Sequence, residues 1–266
     1  MNINLELSKI FTLTQRDLLK FFRDKTRLIG ALIFPTIFIG VFGATLDAGI
    51  GSRIAIGYSF IDYIFAGILI QTVFQSAFSG IVSLIRDREE DFAMSLFVAP
   101  VSRYSIVLGK VIGEALIGFM QVFGIIAIGY LIGVRVDFGN VLLTLPFCLV
   151  AGFAGASLGI LISSRFSTSD AAQRVLPLLM FPLIFLSGAF TPVNDLPIIL
   201  EILKLINPLS YGVDLARHII FAGEPSEILE VVAPSNFYLD IFLFSFLGLV
   251  FFTVGTYLFA NKEGNK

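Results

Sequence analysis

Six stretches without a single charged side chain dominate this sequence: residues 28–46, 63–85, 115–134, 138–164, 175–194 and 241–261. They run from 19 to 27 residues. A helix needs about 20 apolar residues to cross the hydrocarbon of a bilayer. A strand in lipid would leave its backbone groups unpaired unless it closed into a barrel. The six stretches therefore predict six membrane-crossing helices. With flanking helical residues included, the spans are drawn at 28–46, 63–85, 106–134, 138–164, 171–190 and 238–261, in one all-α domain covering 1–266.

Composition excludes the main alternatives. Hydrophobic residues make up 56% of the 266 and charged residues 14%, against about 25% charge in soluble domains. Mean hydropathy is +0.91. So little charge cannot cover a water-facing surface, and the same numbers exclude disorder. A net charge of −2 offers no basic field for nucleic acid. One cysteine (Cys148) and one histidine (His218) give neither a disulfide nor a zinc cluster.

Six crossings put both termini on one side. The segments on that side carry 14 of the 18 lysines and arginines; Arg53, Arg135, Lys204 and Arg217 fall on the other. The positive-inside rule makes the basic side cytosolic. With no tryptophan, tyrosine must anchor the interfaces: Tyr58, Tyr63, Tyr130, Tyr211 and Tyr238 fall at outer ends, Tyr104 and Tyr257 near inner ones.

The segments between spans carry their own patterns. Residues 1–27 mix Leu, Ile and Phe with Lys and Arg at helical spacing. They read as an amphipathic helix on the cytosolic leaflet, or as one packed on cytosolic loops. Residues 86–110 place Asp87, Glu89, Glu90 and Asp91 at the front of a short helix, where negative charge suits the dipole. Pro100 ends it and Ser102 caps the next. Asp170, three residues before Gln173, suggests a capping box for the fifth span. Residues 191–222 are apolar but interrupted by prolines, and predict short interfacial or re-entrant helices on the outer side before the last span.

Several residues have two readings each. Gly109–Gly113, Gly129–Gly133 and Gly155–Gly159 have GxxxG spacing, for a dimer contact or for packing within the chain. Gly109-Lys110 has Tyr104 and Val111 where a phosphate loop needs Gly and Ser or Thr, so the chain has no Walker A motif. Glu114, the acid inside an apolar span, either pairs with Lys110 one turn away or serves coupling or proton handling. Gln71 and Gln75 share a helix face, and with Gln121 either bond between helices or line a passage.

Residues 86–110 and the following VIGEALIGFMQ resemble the membrane subunits of ABC-2 type exporters. The matching features are Arg88-Glu89-Glu90, the turn Ala99-Pro100-Val101-Ser102-Arg103, and Gly109-Lys110 with Glu114 and Gln121 after them. A second match is SGAFTPVNDLPIILEILKLINPLSYGVDLAR, residues 187–217. A third is FFRDKTRLIGALIFP, residues 21–35, although Lys25 stands where a proline often follows Arg-Asp in the family. Within the family the chain looks most similar to daunorubicin-resistance-type drug-efflux permeases.

The resemblance implies a plasma-membrane permease, a homodimer, that docks two separate ATPase subunits on the cytosolic side. ATP and Mg would bind the ATPase, with no cofactor or catalysis on this chain. It also makes 86–101 the coupling helix that the ATPase grips, through Arg88, Glu89, Glu90, Asp91, Phe92, Met94 and Phe97. The substrate passage would run at the dimer interface along spans 2 and 5, with Gln71, Gln75, Gln121, Phe181 and Phe185 as its residues, suiting a hydrophobic or amphipathic drug, antibiotic or lipid-like compound. Two rivals are a self-contained secondary transporter or channel, which needs deep ionisable groups, and a membrane enzyme, for which Asp195, Glu201 and Asp214 are the candidates.

Overall fold

The computed structural model describes residues 3–43, 45, 59–89, 102–191, 193 and 196–264. Among them are eleven α-helices and no strand: α1 (Ile3–Arg23), α2 (Lys25–Ile37), α3 (Phe60–Gly80), α4 (Val82–Glu89), α5 (Arg103–Ile132), α6 (Phe138–Ser163), α7 (Ser169–Leu186), α8 (Ile198–Ile206), α9 (Pro208–Ile220), α10 (Ser226–Val232) and α11 (Phe237–Gly264). A π-helical turn, Phe38–Gly43, extends α2. Six segments are long and apolar enough to cross a membrane: Lys25–Gly43, Phe60–Asp87, Tyr104–Ile132, Phe138–Ser163, Ser169–Leu186 and Ser226–Asn261. They are the same six, in the same order, that the charge gaps mark.

Local chemistry sets the helix ends. Ser102 Oγ accepts the Ser105 amide at the start of α5, and Asp137 Oδ1 accepts that of Asn140 at the start of α6. Asn207 caps α9, with Pro208 in its first turn, where a missing N–H costs nothing. Gly133, at φ +113°, closes α5 in the left-handed conformation that favours glycine. The start of α7 departs from the expected capping box. Thr168 is the N-cap, accepting the Ala171 amide, which leaves Asp170 inside the first turn and Gln173 free of a capping role.

The centre of the bundle is α3. Its span is largely buried within the chain, whereas those of α2 and α7 are largely exposed. It packs chiefly on α6, α5 and α9, while α11 covers α6 and α9. Glycines allow the close approach. Gly155 and Gly159 of α6 lie against the backbone of Phe74 and Phe78, and Gly118 of α5 lies against Val73. Gly109 and Gly113 face Ile10, Leu13, Thr14 and Asp17 of α1. At Gly109–Gly113 and Gly155–Gly159 the GxxxG spacing thus serves packing within the chain, whereas Gly133 of the third pair caps α5.

Both termini lie at one end, called here the terminal end. Phe259 of α11 packs there with Leu84, Val107 and Val111, and α1 runs along the start of α5. On α1, Thr14, Asp17 and Phe21 are buried, while Leu7, Phe11, Leu19 and Phe22 are exposed. Tyr104, Tyr238 and Tyr257 are exposed, as interfacial anchors would be, but Tyr63 and Tyr211 are not. Tyr63 lies under the guanidinium of Arg217, and Tyr211 donates to the Leu205 carbonyl. Buried polar groups recruited both rings.

Candidate functional site

A cavity of about 590 Å³ opens between α2, α3, α5 and α7 in the half of the bundle nearer the termini. One wall is polar without being charged: Thr72, Gln75, Ser76 and Ser79 of α3, Gln121 of α5 and Gln173 of α7. Apolar lining comes from Phe34 and Pro35 of α2 and Leu176 and Pro177 of α7. Asp24, Arg27 and Arg86 supply charge. Such a lining offers both hydrogen-bonding partners and apolar surface.

The polar wall is braced from behind. Gln71, fully buried, donates through Nε2 to Gln75 Oε1 at 3.1 Å, and Gln121 Nε2 donates to Ser76 Oγ at 2.9 Å. Gln75 and Gln121 line the cavity; Gln71 stands one helical turn behind it. Phe181 and Phe185 lie on α7 beyond the cavity, both more than half exposed on the outer surface of the chain. Arg27, Thr72, Ser76 and Gln173 line the cavity without having been marked in the sequence. For Gln173, a polar residue one turn before Pro177 was the available signal.

Arg27 links the cavity to a buried ion network. Glu114, buried in α5, takes Lys110 Nζ at 3.3 Å and the Ser83 hydroxyl at 3.1 Å on one oxygen, and Arg27 Nη2 at 3.2 Å on the other. Lys110 also reaches Asp17 of α1 at 2.7 Å. Arg16 bonds Asp17 at 3.0 Å and Asp87 of α4 at 2.6 Å. Three carboxylates on Asp17, Asp87 and Glu114 thus meet three bases on Arg16, Arg27 and Lys110, across α1, α2, α4 and α5. Glu114 fits because residue 80 is a glycine: a methyl there would overlap its carboxylate. Both sequence readings of Glu114 named Lys110 or coupling; the network extends well beyond that pair.

Glu89, at the end of α4, accepts the Ser169 amide at 3.0 Å and its hydroxyl. It thereby joins α4 to the first turn of α7, whose dipole favours the negative charge. These bonds hold the Glu89 carboxyl below its ordinary range. Glu6 is lowered likewise, by bonds from Ser105 and Lys9. Arg88 lies in α4. Glu90, Asp91, Phe92, Met94 and Phe97, like most of 86–101, lie outside the described residues, as does Asp195.

The far end is held differently. Arg217 of α9, buried, donates through Nη2 to the carbonyls of Gly188 (2.6 Å) and Ala189 (3.2 Å), with its guanidinium carbon 3.6 Å from the centre of the Tyr63 ring. Asn207 donates to the Leu183 carbonyl at 2.7 Å. Together they fasten the C-terminal end of α7.

Sequence comparison finds relatives for most of the chain. A sequence model described as ABC-2 type transporter matches residues 8–221. A putative transport permease, ycf38, of Cyanophora paradoxa is 27% identical over 213 residues, covering 79% of this chain and 73% of that protein. Nodulation protein J of Rhizobium leguminosarum bv. trifolii is 27% identical over 216 residues, 80% of this chain and 81% of its own. A probable multidrug ABC transporter permease, YbhR, of Escherichia coli (strain K12) is 31% identical over 149 residues, 56% of this chain and 40% of that protein.

Proposed function

Because this chain belongs to the ABC-2 type transporter family and is a multi-pass membrane transport permease, we propose that it is the membrane subunit of an ATP-driven exporter. In this reading it moves a hydrophobic or amphipathic compound out across the plasma membrane, as a homodimer with two separate ATPase subunits and with both termini cytosolic. The observation that carries the substrate class is the cavity, whose lining combines amide and hydroxyl groups with apolar side chains. A compound with a polar head and an apolar body satisfies both at once. The similarity to YbhR of Escherichia coli, a probable multidrug ABC transporter permease, agrees with that class.

The dimer reading rests on the apolar surface beside the cavity. Ile29, Ile33 and Ile37 of α2 and Leu178, Phe181 and Phe185 of α7 are exposed. A second copy seated there would close the cavity from lipid and put Phe181 and Phe185 along the passage. Binding of ATP would draw the ATPase subunits together and move residues 86–101. Glu89 would pass that motion to α7 through Ser169, and the ion network would pass it to α1, α2 and α5. Transport requires the compound to contact the two arrangements differently.

The test is ATP-dependent transport by the permease with its ATPase in lipid vesicles. Gln75→Leu and Gln121→Leu are expected to change which compounds stimulate ATP hydrolysis while leaving basal hydrolysis in place. Glu90→Ala with Asp91→Ala is expected to weaken the ATPase complex; Glu89 is spared because it also holds Ser169. Transport that proceeds without any ATPase would replace the exporter reading with that of a secondary transporter or channel.

A further inference from the structure

At the far end, three titratable side chains converge on Ser235, in the loop between α10 and α11. Its hydroxyl lies 3.1 Å from Asp214 Oδ2 of α9 and also contacts Asp240 Oδ2 in the first turn of α11. Asp240 is fully buried, and its Oδ1 has no hydrogen-bond partner among the described residues. His218 Nε2 is 3.0 Å from the Ser235 carbonyl and 3.9 Å from Asp240 Oδ2.

Counting protons gives the result. A serine hydroxyl has one hydrogen, and an ionised carboxylate only accepts. Two ionised carboxylates flanking one hydroxyl leave one oxygen–oxygen contact without a proton. A second hydrogen, carried by one carboxyl group, completes the chain from Asp240 through Ser235 to Asp214. Asp240 is the group to carry it, because a buried carboxylate with an unpartnered oxygen is costly to ionise. The His218 Nε2–H is committed to the Ser235 carbonyl and does not supply the missing bond.

Among the described residues, the other titratable groups nearby do not replace that proton: Tyr211 of α9, which also faces the two carboxylates, donates its hydroxyl to the Leu205 carbonyl. Arg217 Nη1 is 3.9 Å from Asp214 Oδ1, beyond hydrogen-bond reach, and Nη2 is spent on two carbonyls. Lys204 of α8 donates to the Val193 carbonyl. Glu227 and Glu230 of α10 are exposed. On α3, Asp62 accepts the Arg135 amide, and α6 has no charged residue.

We propose that Asp214, Ser235 and Asp240 form a proton-binding site that holds one proton between the two carboxyl groups in mildly acidic solution, with Asp240 as the acid. The bound proton fastens the start of α11 to α9. Its loss leaves two like charges competing for one hydroxyl and loosens that joint. The proposal does not depend on the transport reading.

The test is infrared difference spectroscopy of the full-length chain in lipid nanodiscs during pH steps, with a carbon-13 aspartate label. At mildly acidic pH, near 5, the wild type should show the C=O stretch of a protonated carboxylic acid. The band should shift with the label and disappear in alkali. Asp240→Asn and Asp214→Asn should each abolish it, since an amide then donates to Ser235 in place of the shared proton. Glu201→Gln, on exposed α8, should retain it. Absence of the band in the wild type, indifference to the label, or survival in both asparagine variants would overturn the proposal. The label assigns the band to an aspartate even if neither variant folds.

Discussion

The two ends of the bundle bury charge by opposite means. At the terminal end, Asp17, Asp87 and Glu114 meet Arg16, Arg27 and Lys110, and three of those contacts join two different helices. At the far end, Arg217 finds backbone carbonyls and an aromatic face. Side-chain pairs between helices survive only while the helices keep their relative positions. A guanidinium on backbone carbonyls instead fixes a local chain path. The terminal end is thus tied across helices by side-chain ion pairs, and the far end holds the end of α7 through its backbone carbonyls.

The largest expected effect tests the terminal end. Lys110→Met leaves Asp17 and Glu114 without their shared cation. Removing one partner of a buried pair costs about 3–5 kcal/mol, to be read as a lower unfolding midpoint in detergent. A loss below about 1 kcal/mol, the worth of a surface pair, would mean the network does not hold the helices. Arg217→Met comes next. It strands the Gly188 and Ala189 carbonyls, at about 1–3 kcal/mol for an unsatisfied buried group. Arg217→Lys should restore only part of that, because an ammonium lacks the planar fork. If both far-end variants cost more than Lys110→Met, the contrast between the ends is reversed.

Gly80→Ala is expected to cost about 1–3 kcal/mol by overpacking against the Glu114 carboxylate. The same substitution should cost far less in a Glu114→Ala background, and equal costs in the two backgrounds would remove the proposed fit. The smallest effect is pH-dependent. The folded-state pKa of Glu89 lies below the ordinary 4.5, so its contribution is fully present above 4.5 and is lost as pH falls through the folded value. Protection of the Ser169 amide, relative to its intrinsic exchange rate, should therefore decline in acid, and Glu89→Gln should flatten that decline. An unchanged profile would mean that Glu89 does not join α4 to α7.

Much of the architecture was legible because a bilayer imposes a one-dimensional rule. Charge inside hydrocarbon is costly, so the gaps between charges trace the spans. Ser102 was readable as a cap for a local reason, since its partner is three residues away. Thr168 was missed because Asp170 and Gln173 offered a competing capping pattern. In the candidate site, Gln75 and Gln121 carried a signal as polar residues inside apolar spans. Arg27 looked like one more basic residue before a span, and nothing in sequence joins it to Glu114, 87 positions later.

The sequence by itself determined that the chain is an all-helical, six-span membrane protein, because hydrophobic length and charge spacing are properties of consecutive residues. Its motifs carried the family as well. Only the tertiary structure decided which helix is central, which glutamine faces a cavity, that the GxxxG glycines seat α1, α5 and α6 within one chain, and that Glu89 reaches α7. Those outcomes depend on which helix faces meet, and contacts between residues 80 or more positions apart leave no periodic trace in the sequence.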